Sequence, residues 1–495
     1  MNQKQIIEKL EETLLRRYGC HSDTASPQQI YRCLCYLVNE MLVEKNTQFN
    51  RKTNKDQDKQ VYYMSMEFLV GTSLRNNLYN LGLEELFTQA LDKCGIDIHD
   101  LYEMEPDAGL GNGGLGRLAS CYMDSATTLG IPCTGYSIRY EFGIFKQKII
   151  DGWQMEFPDD WLTMGDVWLV PREDEAVEVK FGGEAHGWDD NGKYRVAHVN
   201  YQSVMAVPND MYISGHDTDT VNKLVLWSAK SPRSFDMTAF SRGDYAKALE
   251  GDTMAEVISK VLYPADDHIA GKRLRLRQQY LLVSASLQTI LRKHLKTYRS
   301  LDNLADKVSI HINDTHPALC VPELMRLLLD EYDYGWDEAW EITCNTLSYT
   351  NHTVMSEALE RWSESLFSEQ MPRVYQIVSK LHTEILKDSI FRDYYQMEPN
   401  RFLNVTNGIA YRRWLCQSNP DLSALLKELI GDGFVKDSRE LEKLLKYRDD
   451  ASVLSRLQEI KLANKQRLSD LILQRNGIQV DPNSLFDVQI KRLHE

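Results

Sequence analysis

At 495 residues and 43% apolar content the chain is long enough for two or three domains with an ample core. Its net charge of −15 excludes a nucleic-acid binder, which needs clustered Lys and Arg against phosphates. Nine cysteines without a CxxC pair exclude a zinc ribbon or a disulfide framework and fit reduced thiols in a cytoplasmic protein, and no apolar run reaches membrane-spanning length.

The N-terminal MNQKQIIEKLEETLLRR reads as a charged amphipathic helix rather than a signal peptide. A helix over 26–45 follows, with Ser26 as N-cap, Pro27 at N1 and a buried face of Ile30, Leu34, Leu37 and Met41. The polar NRKTNKDQDKQ after it is expected to be an exposed connection. VYYMSMEFLVG (61–71) has strand composition; Glu67 within it needs a partner, and a structural ion pair competes with a site role. Five glycines then fall in eight residues: Gly109, Gly111, Gly113, Gly114 and Gly116, followed by apolar residues at helical spacing from Leu115. A glycine loop feeding a helix presents unpaired N–H groups suited to an anion. Both overlapping G-x-G-x-x-G matches fit a dinucleotide fingerprint, but a tight turn without a ligand competes with it, and Pro106 opposes the strand that a dinucleotide fold places just before the loop.

Residues 134–230 read as an antiparallel, strand-rich insertion, with Asp190-Asn191-Gly192 as a hairpin turn. His216, Asp217 and Asp219 are read as a polar loop in preference to a metal site, and no metal is expected anywhere in the chain. Residues 240–295 are helical at both ends around a loop at 263–271; Lys272, Arg273, Arg275 and Arg277 read as a solvated or salt-bridged helix face. Val308–Ile312 is a strand whose C-terminal end carries His311, Asp314 and His316, the end at which α/β proteins place ligands. A metal site, a structural turn for His311, and a substrate site for Asp314 and His316 compete there. SYTNHTVMSEALERW (348–362) is a second strand-to-helix junction, with Asn351, His352 and Thr353 at the turn and Glu357, Glu360 and Arg361 on the helix. Residues 416–476 are helical, with a stripe of Leu441, Leu444, Leu445, Leu454, Leu457 and Ile460 and a C-cap at Asn476-Gly477. Phe486–Ile490 reads as the first strand of a parallel sheet whose partners are not in the sequence.

The stretch EPDAGLGNGGLGRLASCYMDSATTLGIPCTGYSIRYEFGIFKQKIIDGWQMEFPDDWL resembles the α-glucan phosphorylases, which degrade glycogen, starch and maltodextrin. HINDTHP, SYTNHTVMSEALERW and RFLNVTNGIAYRRWL extend the resemblance nearly end to end. It implies an incomplete α/β fold of the glycosyltransferase-B kind, with 1–405 as the N-terminal domain and 406–495 as the start of a cofactor-binding C-terminal domain. Against the family pattern a segment is missing between Val378 and Ser379.

The resemblance further implies phosphorolysis of α-1,4-glucan by inorganic phosphate, with release of glucose 1-phosphate, in a homodimeric enzyme using pyridoxal phosphate. By residue, Gly113, Gly114 and Leu115 offer N–H groups to phosphate; Asp314, His316, His352 and Asn407 belong with the sugar; Asp267 stands on the gating loop; Lys491 and Arg492 match contacts to cofactor and substrate phosphate. An arginine pair that binds activator phosphate in the vertebrate members appears here as Arg292-Lys293, and their phosphorylated N-terminal extension has no counterpart, so control by phosphorylation or nucleotide is not expected. The family's Schiff-base lysine motif, Glu-Ala-Ser-Gly-Thr-Gly-Asn-Met-Lys, has no match in the 495 residues, so the chain alone is expected to bind no pyridoxal phosphate and to be inactive. A non-catalytic remnant that binds glucan or dimerises is the competing expectation; an NAD-type oxidoreductase is the third.

Overall fold

The computed structural model describes residues 2–190, 193–232, 236–352, 360–386 and 410–488. The chain divides into two compact units, Met1–Asn404 and Val405–Glu495.

The first unit is a mixed α/β structure around one eight-stranded sheet. Its strands in chain order are β1 (Gln60–Met64), β2 (Cys133–Ile138), β5 (Leu169–Pro171), β6 (Val177–Phe181), β9 (Gln202–Ser214), β10 (Val221–Lys230), β11 (Val308–Asn313) and β12 (Leu347–Thr350), while β3 (Lys146–Ile150) with β4 (Trp153–Phe157) and β7 (Glu184–Asp190) with β8 (Lys193–Val199) form separate hairpins. The spatial order is β12-β11-β1-β2-β10-β9-β5, with β6 also on β9. The five strands β12 to β10 are mutually parallel; β9 turns antiparallel and carries β5 and β6. The expected strand-rich insertion is therefore partly an extension of the central sheet. Residues 191 and 192 of the expected hairpin turn lie outside the described residues, between the paired Asp190 and Lys193.

Parallel strands need crossover helices on both faces, so their residues are apolar throughout. Met64, Ile310, Ile312, Leu224 and Trp227 are accordingly buried. Helix Pro27–Asp56 opens with the expected Ser26 capping box and Pro27 at N1. It runs eleven residues past the expected end at 45 and absorbs most of the polar stretch, which holds neither Gly nor Pro to stop it. Asn46 explains the continuation: it is buried and donates to the Val221 carbonyl at 2.7 Å, tying the helix to β10. The strand expected over 61–71 stops at Met64, because the backbone N–H groups of Phe68 and Leu69 turn away to the carbonyls of Leu110 and Gly116.

Helix Pro372–Leu386 runs without a break through Val378 and Ser379, the point at which the resemblance led us to expect a further segment. In the second unit, helices Pro420–Ile430 and Ala451–Asn476 and a 3-10 helix Ser438–Tyr447 form where a helical region was expected, with Gly477 at φ 68° as the C-cap. Its apolar stripe is poorly covered: Leu445, Leu454 and Leu457 are exposed. Residues 486–488 form no strand, a departure from the sequence expectation, since no neighbouring strand supplies the ladder bonds; residues 489 and 490 lie outside the described residues.

Candidate functional site

The site grows from the C-terminal ends of β1, β2, β11 and β12, the edge at which parallel sheets collect polar loops. After β1 the chain runs against the glycine loop. The loop opens a helix, Gly114–Thr128, whose N-cap Gly113 makes no side-chain cap bond. Helix geometry therefore leaves the first-turn N–H groups, those of Gly114 and Leu115 among them, without intrahelical partners. The glycines are small for contact reasons: a Cβ on Gly111 would stand 2.7 Å from the Leu69 nitrogen, and one on Gly116 would stand 2.9 Å from the Glu67 Cβ.

Glu67 is buried, and among the described residues its carboxylate is held by hydrogen bonds rather than by an ion pair. Its Oε2 accepts the Asn112 N–H at 2.7 Å and the Gly113 N–H at 3.3 Å, and its Oε1 accepts the Tyr263 hydroxyl. Gly113 thus spends its N–H inside the protein, unlike Gly114, which is exposed. Tyr263 begins the loop in which Asp267 stands exposed; burial first, then Glu67, pushes its hydroxyl pKa upward. Its ring lies 6.0 Å from that of His316 and 5.5 Å from the Arg275 guanidinium. Arg275 in turn bonds Glu360 and lies 3.2 Å from Asp266. In the rest of the basic cluster Arg273 pairs with Glu369 at 3.0 Å, while Arg277 donates to the Gln370 and Gln202 carboxamide oxygens at 2.8 and 2.6 Å.

Asp314 and His316 follow β11. Asp314 adopts φ 67° and Tyr263 φ 55°, left-handed conformations that cost energy, above all for a bulky residue like tyrosine. Two such residues around one group of side chains mark a backbone held for a purpose other than regular structure. Asp314 donates its N–H to the Thr350 carbonyl at 3.0 Å, and its Oδ1 accepts the Thr315 N–H at 2.8 Å, which closes the turn. His311 is a structural residue: it stacks on Tyr63 at 5.2 Å and bonds Thr350 Oγ1 at 2.6 Å, and burial, then His352, lowers its pKa. His352 follows β12 and bonds Asn313 Oδ1 through Nε2 at 2.5 Å.

Of the residues singled out in the sequence, Gly113, Gly114, Leu115, His316, Asp314 and His352 come together along this edge through the contacts of Glu67, Tyr263 and Asn313. Asn407, Lys491 and Arg492 lie outside the described residues, as does Glu357. Glu360 and Arg361 precede the helix at Glu364–Gln370 rather than lying on it. Sequence reasoning missed Tyr263, Ser65 and Asn313. The signal for Asn313 was available: a polar residue closing a buried strand requires a partner.

No strand precedes the glycine loop. Glu105, just upstream, accepts the N–H groups of Ser73 and Leu74 and the Trp168 indole, so the dinucleotide-binding βαβ unit is not formed here. The Phosphorylase family model, described as carbohydrate phosphorylase, matches residues 91–381 and 378–495. This chain belongs to the carbohydrate phosphorylase family. It is 42% identical to the glycogen phosphorylase of Chlamydia pneumoniae over 96% of its own length and 64% of that protein's. It is 42% identical to the glycogen phosphorylase of Bacillus subtilis (99% and 66%) and 39% identical to the muscle form of Bos taurus (96% and 63%). The chain thus spans just under two thirds of the length of these phosphorylases. The family match divides at 378–381, where the sequence pattern places the missing segment.

Proposed function

We propose that this chain carries the glucan- and phosphate-facing part of an α-1,4-glucan phosphorylase. In that reaction an oxygen of inorganic phosphate bonds to the anomeric carbon of the terminal glucose. The glycosidic C–O bond breaks, the phosphate proton passes to the departing glucan oxygen, which becomes a hydroxyl, and glucose 1-phosphate forms with retention. The observation that carries the reading is the gathering of the glycine-loop helix, Asp314, His316 and His352 at one edge of a parallel sheet.

In this reading the first-turn N–H groups of Gly114 and Leu115 bind a phosphate oxygen, helped by the helix dipole. Gly113 acts by shaping the turn, since its N–H is taken. Asp314, His316 and His352 face the sugar, where a negative or lone-pair-bearing group favours positive charge at the anomeric carbon. Asp267, exposed on its loop, accepts sugar hydroxyls. Asn407, Lys491 and Arg492 keep their expected roles as part of the proposal, and 406–495 is read as the start of a cofactor-binding domain.

Pyridoxal phosphate is the family's cofactor, and the described residues do not fit it. None of the contacts that build the site is made by a lysine, and the cation at its centre, Arg275, is already bonded to Glu360 and Asp266. We therefore propose glucan binding without turnover for the chain by itself, in a cytoplasmic homodimer. The test is affinity electrophoresis in glycogen-containing gels beside an assay for phosphate-dependent release of glucose 1-phosphate from maltodextrin. Retardation without release is expected. No retardation overturns the glucan reading; release with one borohydride-trapped pyridoxyl group per chain overturns the inactivity.

A further inference from the structure

We infer that Asn313 is a positioning residue that fixes the tautomer of His352, with the proton on Nε2 and the Nδ1 lone pair left as an acceptor. The inference rests on the reading that His352 faces a sugar.

Asn313 closes β11 and is fully buried. Its carboxamide is used at both ends. Nδ2 donates to Ser65 Oγ at 2.9 Å, and Oδ1 accepts from His352 Nε2 at 2.5 Å. Ser65 is itself buried just past β1, and its hydroxyl oxygen also accepts the Glu67 N–H at 3.2 Å. Two N–H groups therefore converge on that oxygen. Turned over, the carboxamide would take the Ser65 hydroxyl proton on Oδ1 and donate an Nδ2 proton to His352 Nε2, so the orientation of Asn313 and the tautomer of His352 are set together.

His311, the other imidazole nearby, does not compete for Asn313: it is stacked on Tyr63, and its Nε2 bonds Thr350. With Oδ1 facing Nε2 as it does here, the neutral His352 ring carries its proton on Nε2. Nδ1 is then restricted to accepting a hydroxyl proton, a requirement that a sugar hydroxyl meets and a deoxy position does not. The same set of bonds ties His352 to the glycine loop. Glu67 holds Asn112 and Gly113 by its carboxylate and Ser65 by its backbone N–H, and Ser65 holds Asn313.

The test uses the full 495-residue chain with 15N-labelled histidine and a long-range proton–nitrogen spectrum at a pH where His352 is neutral. The His352 signals are assigned by their loss in His352→Gln. The wild-type chain should show the Nε2–H form. In Asn313→Ala the ratio of Nε2–H to Nδ1–H should fall about tenfold, the equivalent of one hydrogen bond of ~1.4 kcal/mol. Asn313→Asp, whose carboxylate accepts the same N–H, should restore it. Ser65→Ala, which frees the carboxamide to turn, is read in the same way and serves if Asn313→Ala does not fold. A wild-type Nδ1–H form, or an unchanged ratio in folded Asn313→Ala or Ser65→Ala, overturns the inference. Adding glucose separates it from the sugar reading: if the tautomer behaves as stated but glucose leaves the His352 signals unmoved, the sugar reading alone fails. If glucose moves them while the tautomer ignores Asn313, the inference alone fails.

Discussion

Glu67 shows how one buried carboxylate can organise a site without an ionic partner. Three donors converge on it: two backbone N–H groups of the glycine loop and the Tyr263 hydroxyl. Glu67→Leu would strand all three, and each stranded donor costs ~1–3 kcal/mol. Because Asn112 and Gly113 are half-buried and water can reach part of the loss, Glu67→Leu should lower the unfolding free energy by ~2–5 kcal/mol in urea titrations, whereas Glu67→Gln, which can still accept the N–H groups and donate to Tyr263, should cost less than ~1.5 kcal/mol. Equal losses in the two variants would mean that packing, not hydrogen bonding, is what Glu67 supplies. Lys293 is the opposite case, a charge that no carboxylate pairs with among the described residues. It lines a cavity of about 420 Å³ with Arg292, Lys223 and Asp210, and its amine lies 5.9 Å over the Tyr62 ring. Burial first, then Lys223, lowers its pKa from the usual 10.5 to about 8. Below pH 8 the amine is charged in the folded and unfolded chain alike, and the full burial penalty is felt. Between about 8 and 10.5 the folded form gives up its proton first, so this group makes stability rise with pH; above 10.5 its contribution is constant. Lys293→Met should add ~1–3 kcal/mol at pH 7 and remove that rise. An unchanged pH profile of the urea midpoint would show that the amine reaches solvent.

At the scale of elements, what the sequence made legible depended on how local the signal was. The Ser26-Pro27 helix start, the turn into the helix at Gly114 and the strand at Val308 are each written in a few adjacent residues, and each forms there. The end of the second helix was not legible, because Asn46 looks solvent-seeking until β10 is placed beside it, and Thr53 does so until the fold buries it. Nor was the early end of β1 at Met64, which is set by carbonyls some forty residues away in the glycine loop. Within the site the same division holds. Asp314, His316 and His352 were marked by their motifs; Asn313 announced only that it needed a partner, and Tyr263 acquires meaning only once the fold brings Glu67 and His316 to it. The glycine loop tests this distinction between local and tertiary causes. A Cβ on Gly114 meets nothing within 4 Å, so Gly114→Ala answers to helix propensity alone and should stabilise by ~0.5–1 kcal/mol. On Gly116 the same methyl meets Glu67 Cβ and Oε2 at 2.9 Å, so Gly116→Ala should destabilise by ~1–3 kcal/mol despite the better propensity. Thermal melts of the two variants should move in opposite directions. A shared sign would mean that one cause governs both positions.

For the whole molecule, the feature that a single copy leaves unsatisfied is the hairpin of β3 and β4. It pairs only with itself, and two strands alone are marginal in water. Its cross-strand register sets Ile150 opposite Trp153, Lys148 opposite Met155 and Lys146 opposite Phe157, and directly opposed residues share a face. One face is therefore Ile150, Trp153, Met155 and Phe157, at 44%, 76%, 45% and 36% exposure, with the Lys148 amine 5.3 Å over the Phe157 ring. Helix Tyr245–Glu256 offers a second apolar surface in Tyr245 and Leu249, one turn apart and both about half exposed. A soluble monomer seldom leaves a contiguous apolar face of this kind open to water. The proposed homodimer gives it a cover of matching character, since a two-fold interface joins the same patch on both copies. In sedimentation velocity the chain should run as a dimer, and a Trp153→Ser, Met155→Ser pair, which touches no part of the site, should shift it toward monomer by at least tenfold in dissociation constant, about 1.4 kcal/mol. The Tyr245→Ser, Leu249→Ser pair separates the two surfaces. If it dissociates the dimer and the hairpin pair does not, the helix is the interface and the hairpin is covered in some other way. If neither pair changes the sedimentation of a dimeric chain, both patches lie outside the contact and the argument from exposure fails.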